Sequence, residues 1–295
     1  MILVTGATGY TGRVAVPRLR ALGEPLRLLV RASSQLAGLE TAGVEIVTGD
    51  LERPAEVERV CRGIERIAHL AHIRHAPALA AALGDGVRHV VLLSSAWRHS
   101  RVPSSAADAV RCGEEAVARS AMPWTILRPT MIYGPGDDRN ISRLADRVRQ
   151  GRWVPIFGSG EQLHQPVHVE DVVGALVTCL ALDRATGRAY DLAGAAPLSY
   201  RELVRCVGAA VGVRPRMVRV PVAPALGAAR VAEWLGLRLP VTAEQVRRSQ
   251  ESRACDIEPA RADLGFSPAS FSEGLARIFG NRGREGRDGD RVTGV

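Results

Sequence analysis

Gly6, Gly9 and Gly12 recur at intervals of three directly after the apolar run Met1–Val4, so that Thr5–Gly12 reads T-G-x-x-G-x-x-G. Val14, Val16, Leu19 and Leu22 continue at helical spacing. A strand that passes through glycines into a helix aims unbonded N–H groups and the positive end of a dipole into the turn, where phosphate is the usual occupant. Gly6 would allow the tight turn, Gly9 the close approach of a pyrophosphate, and Gly12 the packing of helix on strand. The chemistry expected of this stretch is dinucleotide binding, with Thr8, Tyr10, Thr11 and Arg13 around the same turn.

A second apolar run, Leu26–Val30, ends at Arg31, followed by Ser33 and Ser34. An acidic residue at this point would hold the ribose hydroxyls of NAD, whereas a guanidinium attracts a 2′-phosphate and can bond it twice. NADP(H) is therefore the expected cofactor, with NAD(H) as the alternative, and Arg13 in the first helical turn could add a second charge. Asp50 and Leu51 follow a third apolar run, where Asp50 could accept from the adenine amino group or cap the next helix.

These residues need a scaffold, and the pattern supplies one. Val44–Val47, Ile67–Ile73, Val90–Leu93 and Trp124–Leu127 are nearly continuous apolar runs that alternate with helical stretches, among them Ser104–Ser120. Such strands belong in a parallel sheet covered on both faces. The fold class expected is α/β, a Rossmann doubly wound parallel sheet with a smaller C-terminal α/β substrate lobe. Beyond the sixth strand, Ile141–Arg149 reads as a helix, Trp153–Phe157 as a strand and Gly158–Gln165 as a polar loop. A helix from His168 through Leu182, a last strand at Tyr190–Leu192 and a helix over Ser199–Val211 complete the reading. The dinucleotide domain is expected over 1–135 plus 166–195, the substrate lobe over 136–165 plus 196–279, and a disordered tail over 280–295.

Composition excludes several classes. At 295 residues and 46% hydrophobic, the chain can bury a full core. No apolar run reaches membrane-spanning length, so a soluble cytoplasmic protein without a transmembrane segment is expected, as monomer or homodimer. The five cysteines lie far apart without a C-x-x-C, which argues against a disulfide or zinc framework. The net charge is +8, yet all 39 basic residues are arginine and they are dispersed along the chain, so no nucleic-acid stripe is expected. His69, His72 and His75 are spaced by three, but His69 falls on an expected strand and no metal is expected. Val222–Leu239 is apolar around Arg230 and Glu233, and reads as a helix lidding the substrate lobe in preference to one lying on a membrane.

Taken together, Thr5–Gly12, Gly49-Asp50-Leu51, His69-Leu70-Ala71, Ser94-Ser95, Arg128-Pro129, Tyr133-Gly134-Pro135-Gly136 and His168–Val172 resemble the short-chain dehydrogenase/reductase superfamily. The likeness is to its extended or atypical branch, and Ala260–Gly265 with Pro268 and Gly274-Leu275 extends it to about Phe279. Within that branch the chain is similar to epimerase/dehydratase-like proteins, and more distantly to NmrA-like regulators and the accessory subunit of respiratory complex I. The resemblance implies a nicotinamide cofactor held by the glycine turn and by Ala71, His72, Ser94, Arg111, Pro129, Thr130 and Met131. It also implies a small-molecule substrate bearing a polar or carbonyl group.

One part of the family pattern is missing. Family chemistry uses Tyr-x-x-x-Lys in the helix after the fifth strand, the tyrosine handling a proton and the lysine holding the ribose. Setting Glu115 on the family's glutamate puts Ala107 and Arg111 at those positions, and a shift by one gives Ala106 and Val110. The chain contains no lysine, and an arginine there cannot shuttle a proton. The substitute proton donor is sought among Tyr133, His72, His99 and His164, with Ser95 orienting a carbonyl unless it simply caps the strand end. The alternative is a catalytically silent NADP(H)-binding redox sensor, regulator or scaffold.

Overall fold

The computed structural model describes residues 1–84, 86–182, 186–237 and 241–280, so the tail expected over 280–295 lies, but for Gly280, outside the described residues. In chain order the elements begin β1 (Ile2–Thr5), α1 (Tyr10–Arg20), β2 (Leu26–Val30), β3 (Glu45–Thr48), α2 (Pro54–Cys61), β4 (Arg66–His69) and α3 (Ala76–Ala82). They continue β5 (His89–Leu93), α4 (Ser105–Arg119), β6 (Trp124–Pro129), β7 (Ile132–Tyr133), α5 (Ile141–Arg149), β8 (Trp153–Phe157), β9 (Leu163–His164) and β10 (Val167–His168). The remainder is α6 (Val169–Ala181), β11 (Arg188–Leu192), β12 (Leu198–Ser199), α7 (Tyr200–Ala210), β13 (Arg216–Val220), α8 (Val222–Trp234), α9 (Ala243–Arg248), α10 (Glu258–Leu264) and α11 (Phe271–Phe279).

The chain divides into two compact units. The first comprises Met1–Thr130, Val169–Leu192 and Cys255–Ser267; the second comprises Met131–His168, Ala193–Ala254 and the chain from Pro268. The segment 255–267, grouped by sequence with the substrate lobe, belongs to the first unit because α10 packs on β11, where Asp263 accepts from the Tyr190 hydroxyl at 2.8 Å.

The first unit is built on one parallel sheet of seven strands in the order β11-β6-β5-β4-β1-β2-β3. The order reverses between β1 and β4, and ligands of such sheets bind beyond the carboxyl ends of the strands at that reversal. The interior strands are apolar because both faces are covered: Leu3, Ile67, Val90, Leu92 and Ile126 are buried with Leu79 and Val117 of α3 and α4. Each such side chain contributes about 1.5–3 kcal/mol relative to exposure. α1 turns Thr11, Gly12, Ala15, Val16 and Leu19 inward at three- and four-residue intervals.

β4 is shorter than the expected run to Ile73. After Leu70 N–H bonds Thr5 O, the chain leaves the ladder, and the Arg74 N–H donates to His72 Nδ1 at 3.1 Å to start the 3-10 turn Ile73–His75. That local side-chain bond competes with strand pairing and wins. On α4, Glu114 is 4% exposed in its side chain and takes Arg128 Nη2 at 2.7 Å, Arg128 Nε at 3.0 Å and the Ser94 hydroxyl at 2.5 Å. Arg98 Nε lies 3.5 Å from the same carboxylate.

The second unit has three two-stranded sheets, β7 with β10, β8 with β13 and β9 with β12. The loop expected over Gly158–Gln165 thus carries β9, and β11 is followed by two further strands. β13 escaped the sequence reading because Arg216 and Arg219 interrupt its apolar pattern. The unit's core gathers Tyr133, Ile141, Ala145, Leu203, Val207, Phe271 and Leu275. In both units arginines fasten loops to backbone carbonyls: Arg27 Nη1 to Val60 O and Arg62 O at 2.9 and 2.8 Å, and Arg201 Nε to Ser159 O at 2.6 Å.

Glu114→Ala removes the partner of the half-buried Arg128 and frees Ser94. A loss of about 3–5 kcal/mol is expected, read as a lower thermal midpoint; a midpoint equal to that of the parent protein would show that the network contributes nothing.

Candidate cofactor and active site

The glycine turn lies where the reversal of strand order predicts. Gly6 adopts φ +73°, a left-handed conformation that favours glycine, and a Cβ there would stand 2.5 Å from Ala71 N and 2.6 Å from the Leu70 carbonyl carbon. At Gly12 a Cβ would stand 2.6 Å from Ala7 O. Gly9 caps α1 in an extended conformation, with its N–H on Gly6 O at 3.0 Å. No acidic residue occupies the first turn of α1, so no carboxylate competes for its free N–H groups.

In front of this turn is a cleft of roughly 380 Å³ lined by Gly6, Thr8, Gly9, Arg31, Ser34, Asp50, Leu51, Ala71 and His72, among others. The bare peptide surface at Gly6 and Gly9, beside a helix end with no counter-charge, fits a dinucleotide pyrophosphate. Arg31 is exposed at the rim, and its backbone N–H donates to Ser34 Oγ at 3.1 Å. Asp50 Oδ1 accepts from the Glu52 N–H at 3.0 Å. Thr11 and Gly12 are buried under the turn and Tyr10 begins α1, while Ser33 is exposed beside the rim.

Arg13 is not among the residues facing the cleft. Its guanidinium bonds three backbone carbonyls, Nε to Thr8 O at 3.1 Å, Nη2 to Gln35 O at 3.0 Å and Nη1 to Ala37 O. It braces the loop after β2 against the glycine turn. The cations that do face the cleft are Arg31 and Arg74, with Glu52 and His75 beside them. Sequence reasoning missed Arg74; its only signal was a basic residue three positions past Ala71, directly after a run read as strand to Ile73.

Other expected cofactor residues are engaged locally. The Ser94 hydroxyl donates to Glu114, and Arg111 Nη1 donates to Ser100 O at 3.2 Å while Nη2 pairs with Asp108. Pro129 ends β6, and the Thr130 N–H bonds Leu192 O at 2.9 Å. Met131 belongs to the second unit, where its carbonyl accepts the Val167 N–H at 3.0 Å.

The four candidates for acid chemistry, with Ser95 beside them, separate sharply. Tyr133 is fully buried in the second unit's core, edge-on to His168 and Phe271 at 5.4 and 5.1 Å, with Gly274 packed against its hydroxyl. A phenol so buried is not presented at the surface of the unit. His164 sits between Tyr200 and Arg253 in the same unit, and burial, with the Arg253 charge, lowers its pKa to about 4. At neutral pH it holds no proton to spare. Ser95 caps the 3-10 turn Ala96–His99, accepting the Trp97 N–H at 3.3 Å.

His72 lines the nucleotide cleft with Nδ1 engaged by Arg74 N–H, and burial followed by the Arg74 and His75 charges depresses its pKa. His99 is the one with an acidic partner: Nε2 lies 3.0 Å from both Oδ1 and Oδ2 of Asp191. His99 is 48% and Asp191 19% exposed in the side chain, and both lie at the carboxyl edge of the sheet, after β5 and near the end of β11. A carboxylate so placed fixes the imidazole's tautomer and orientation and leaves Nδ1 for other work. His69, by contrast, is buried on β4 with Nδ1 2.9 Å from Thr5 Oγ1. No group of three or more His, Cys, Asp or Glu among the described residues is placed to hold a metal ion. No helix among them is long and apolar enough to cross a membrane.

Residues 6–155 match the NAD(P)H-binding family, and residues 113–222 match the 3-beta hydroxysteroid dehydrogenase/isomerase family. The chain therefore belongs to the NAD(P)H-binding family, in the extended or atypical branch of the short-chain dehydrogenases/reductases, and uses a nicotinamide cofactor. Ceramide reductase of Caulobacter vibrioides is 28% identical over 301 residues, covering 95% of this chain and 90% of that protein. The 2-alkyl-3-oxoalkanoate reductase of Stenotrophomonas maltophilia is 29% identical over 328 residues, covering 94% and 98%. In fold the chain matches a double mutant of the dTDP-glucose 4,6-dehydratase DesIV from Streptomyces venezuelae, solved with NAD bound. That match has a TM-score of 0.74 at 21% identity and covers 98% of both chains.

His69 and His164, both lowered to about 4 chiefly by burial, stay neutral in the folded chain where an exposed imidazole would charge at about 6.5. The unfolded chain takes up protons that the folded chain refuses, so stability present above that value is lost as pH falls towards the folded pKa. Urea unfolding followed from neutral pH down to about 4.5 should show the decline. His164→Asn should flatten it; a slope unchanged by that substitution would remove His164 from the account.

Proposed function

We propose that the protein is an NADPH-dependent reductase acting on a carbonyl group of a small molecule. The observation that carries this reading is the rim of the nucleotide cleft, where Arg31 and Ser34 stand at the end of β2 in place of a carboxylate. A 2′-phosphate meets a positive fork there, and a ribose 2′-hydroxyl finds no acidic acceptor at that position. Carbonyl reduction is supported by the two curated relatives, both named as reductases, one of a 3-oxoalkanoate.

When bound, the reduced nicotinamide supplies a hydride to the carbonyl carbon. The proton that the oxygen then needs is assigned to His99, delivered from Nδ1 while Asp191 holds Nε2. This assignment rests on elimination as well as position. Tyr133 is buried in a core and burial lowers the His164 pKa to about 4, the Ser95 oxygen accepts the Trp97 N–H as a cap, and His72, on the nucleotide cleft with its pKa depressed, is the remaining competitor.

A second reading, an NADP(H)-binding regulator without turnover, is favoured by α4 itself: the family pair falls on Ala107 and Arg111 in one register and on Ala106 and Val110 in the other, so neither supplies a tyrosine or a lysine, and both ends of the Arg111 guanidinium are engaged. Loss of absorbance at the reduced-nicotinamide band over a panel of 3-oxoalkanoates and other ketones separates the two. The reductase reading expects oxidation of NADPH in preference to NADH, and Arg31→Glu should reverse that preference. His99→Gln should lower kcat by about 10²–10⁴ while leaving NADPH affinity unchanged. Tight NADPH binding with no oxidation of any substrate would favour the regulator, and a His99→Gln variant of full activity would move the proton donor elsewhere.

A further inference from the structure

The rim of the nucleotide cleft holds more than Arg31. Arg74, Glu52, Asp50 and His75 line the same cavity as Arg31 and Ser34. Arg74 Nη2 is 4.0 Å from Glu52 Oε1, and Arg74 Nε donates to His75 Nε2 at 3.1 Å. Both members of the Arg74–Glu52 pair are largely exposed, so the pair is weak and easily exchanged for a stronger partner. Arg74 lies within the 3-10 turn Ile73–His75 that its own N–H and His72 Nδ1 begin, which fixes its backbone, while its side chain rests on Glu52 and His75. Asp50 is differently placed, since its Oδ1 is occupied by the Glu52 N–H.

We propose that Arg74 is a second specificity-determining cation for the 2′-phosphate of the nucleotide, held on Glu52 until that phosphate arrives and then transferred to it, so that Glu52 sets how strongly the cleft prefers a 2′-phosphorylated ligand. The inference rests on the NADP(H) reading of the cleft and gives it a second, adjustable component. A dianionic phosphate outcompetes a single exposed carboxylate for a guanidinium, because it offers more charge and a bidentate edge. Arg31 and Arg74 come from opposite sides of the strand reversal, one after β2 and the other after β4, so together they can grip the phosphate from two directions. Glu52 opposes this by holding Arg74 back and by repelling the phosphate; a neutral side chain there lifts both effects.

The test uses the full chain and two fragments, adenosine 2′,5′-bisphosphate and 5′-AMP, titrated by isothermal calorimetry without substrate or turnover. Arg74→Ala should weaken the bisphosphate about tenfold, the worth of one charge-assisted hydrogen bond, with 5′-AMP affinity unchanged. Glu52→Gln should tighten the bisphosphate several-fold, again with no change for 5′-AMP, and the gain should vanish in the Glu52→Gln, Arg74→Ala double variant. Arg74 and Glu52 are exposed, so the folded state is expected to survive either change, which a thermal melt checks.

If the parent protein binds the two fragments equally, the NADP(H) reading falls and this inference with it. If the parent prefers the bisphosphate and Arg31→Ala abolishes that preference while Arg74→Ala leaves it intact, the reading stands and Arg74 is excluded. Equal losses for both fragments in Arg74→Ala would also overturn the proposal, since a 2′-phosphate ligand cannot act on a nucleotide that lacks the group.

Discussion

The first unit depends on a contact between two backbones. At the reversal of strand order, Gly6 comes so close to the Leu70–Ala71 peptide that no side-chain atom fits between them. Gly12 repeats the constraint one helical turn on, bringing α1 against the carbonyl of Ala7. The outcome is a floor of bare peptide under the helix end, and everything assigned to the cleft is arranged around it. Arg31 and Ser34 reach the rim because β2 pairs with β1 in the register Thr5↔Leu29, and His72 and Arg74 reach it because β4 pairs on the other side with Thr5↔His69.

The glycine turn and most of the sheet could be read directly from the sequence because both follow from short-range rules. Three glycines at fixed spacing have few structural uses, and a buried parallel strand leaves an apolar run. The candidate site was harder to read, since its outcome turned on partners distant in sequence. Nothing near Tyr133 announces that Phe271 and Gly274 will close over it. Arg13 had the right spacing to face a phosphate, yet carbonyls at Gln35 and Ala37 claim its guanidinium. The partner of His99 lies 92 residues away on another strand, beyond the reach of any local pattern. Arg74 was hidden by the opposite error: the run before it looked like strand through Ile73, and a histidine nitrogen turned the chain earlier than that.

The helix that carries proton chemistry in relatives of this fold has been given over to structure. Glu114 anchors Arg128 and Ser94, Gly113 packs under the Ile73 carbonyl, and Ala107 is buried. Both members of the family pair are absent in either register, so a single substitution cannot restore it, and at position 107 an introduced tyrosine would also meet a packed interior.

Arginine is the only strong base in this chain, and many of its guanidinium groups point at peptide oxygens. Arg13, Arg27 and Arg201 each donate to neutral carbonyls, and Arg27 Nε also pairs with Glu45 at 2.8 Å while Arg201 Nε lies 3.9 Å from Glu161. The bonds to carbonyls lose less to dissolved electrolyte than pairs of opposite charges do. Loops fastened in this way are less exposed to brine than loops held by ion pairs alone, and the planar fork reaches carbonyls set apart from one another, as Arg13 does, where a compact ammonium offers a single point of charge.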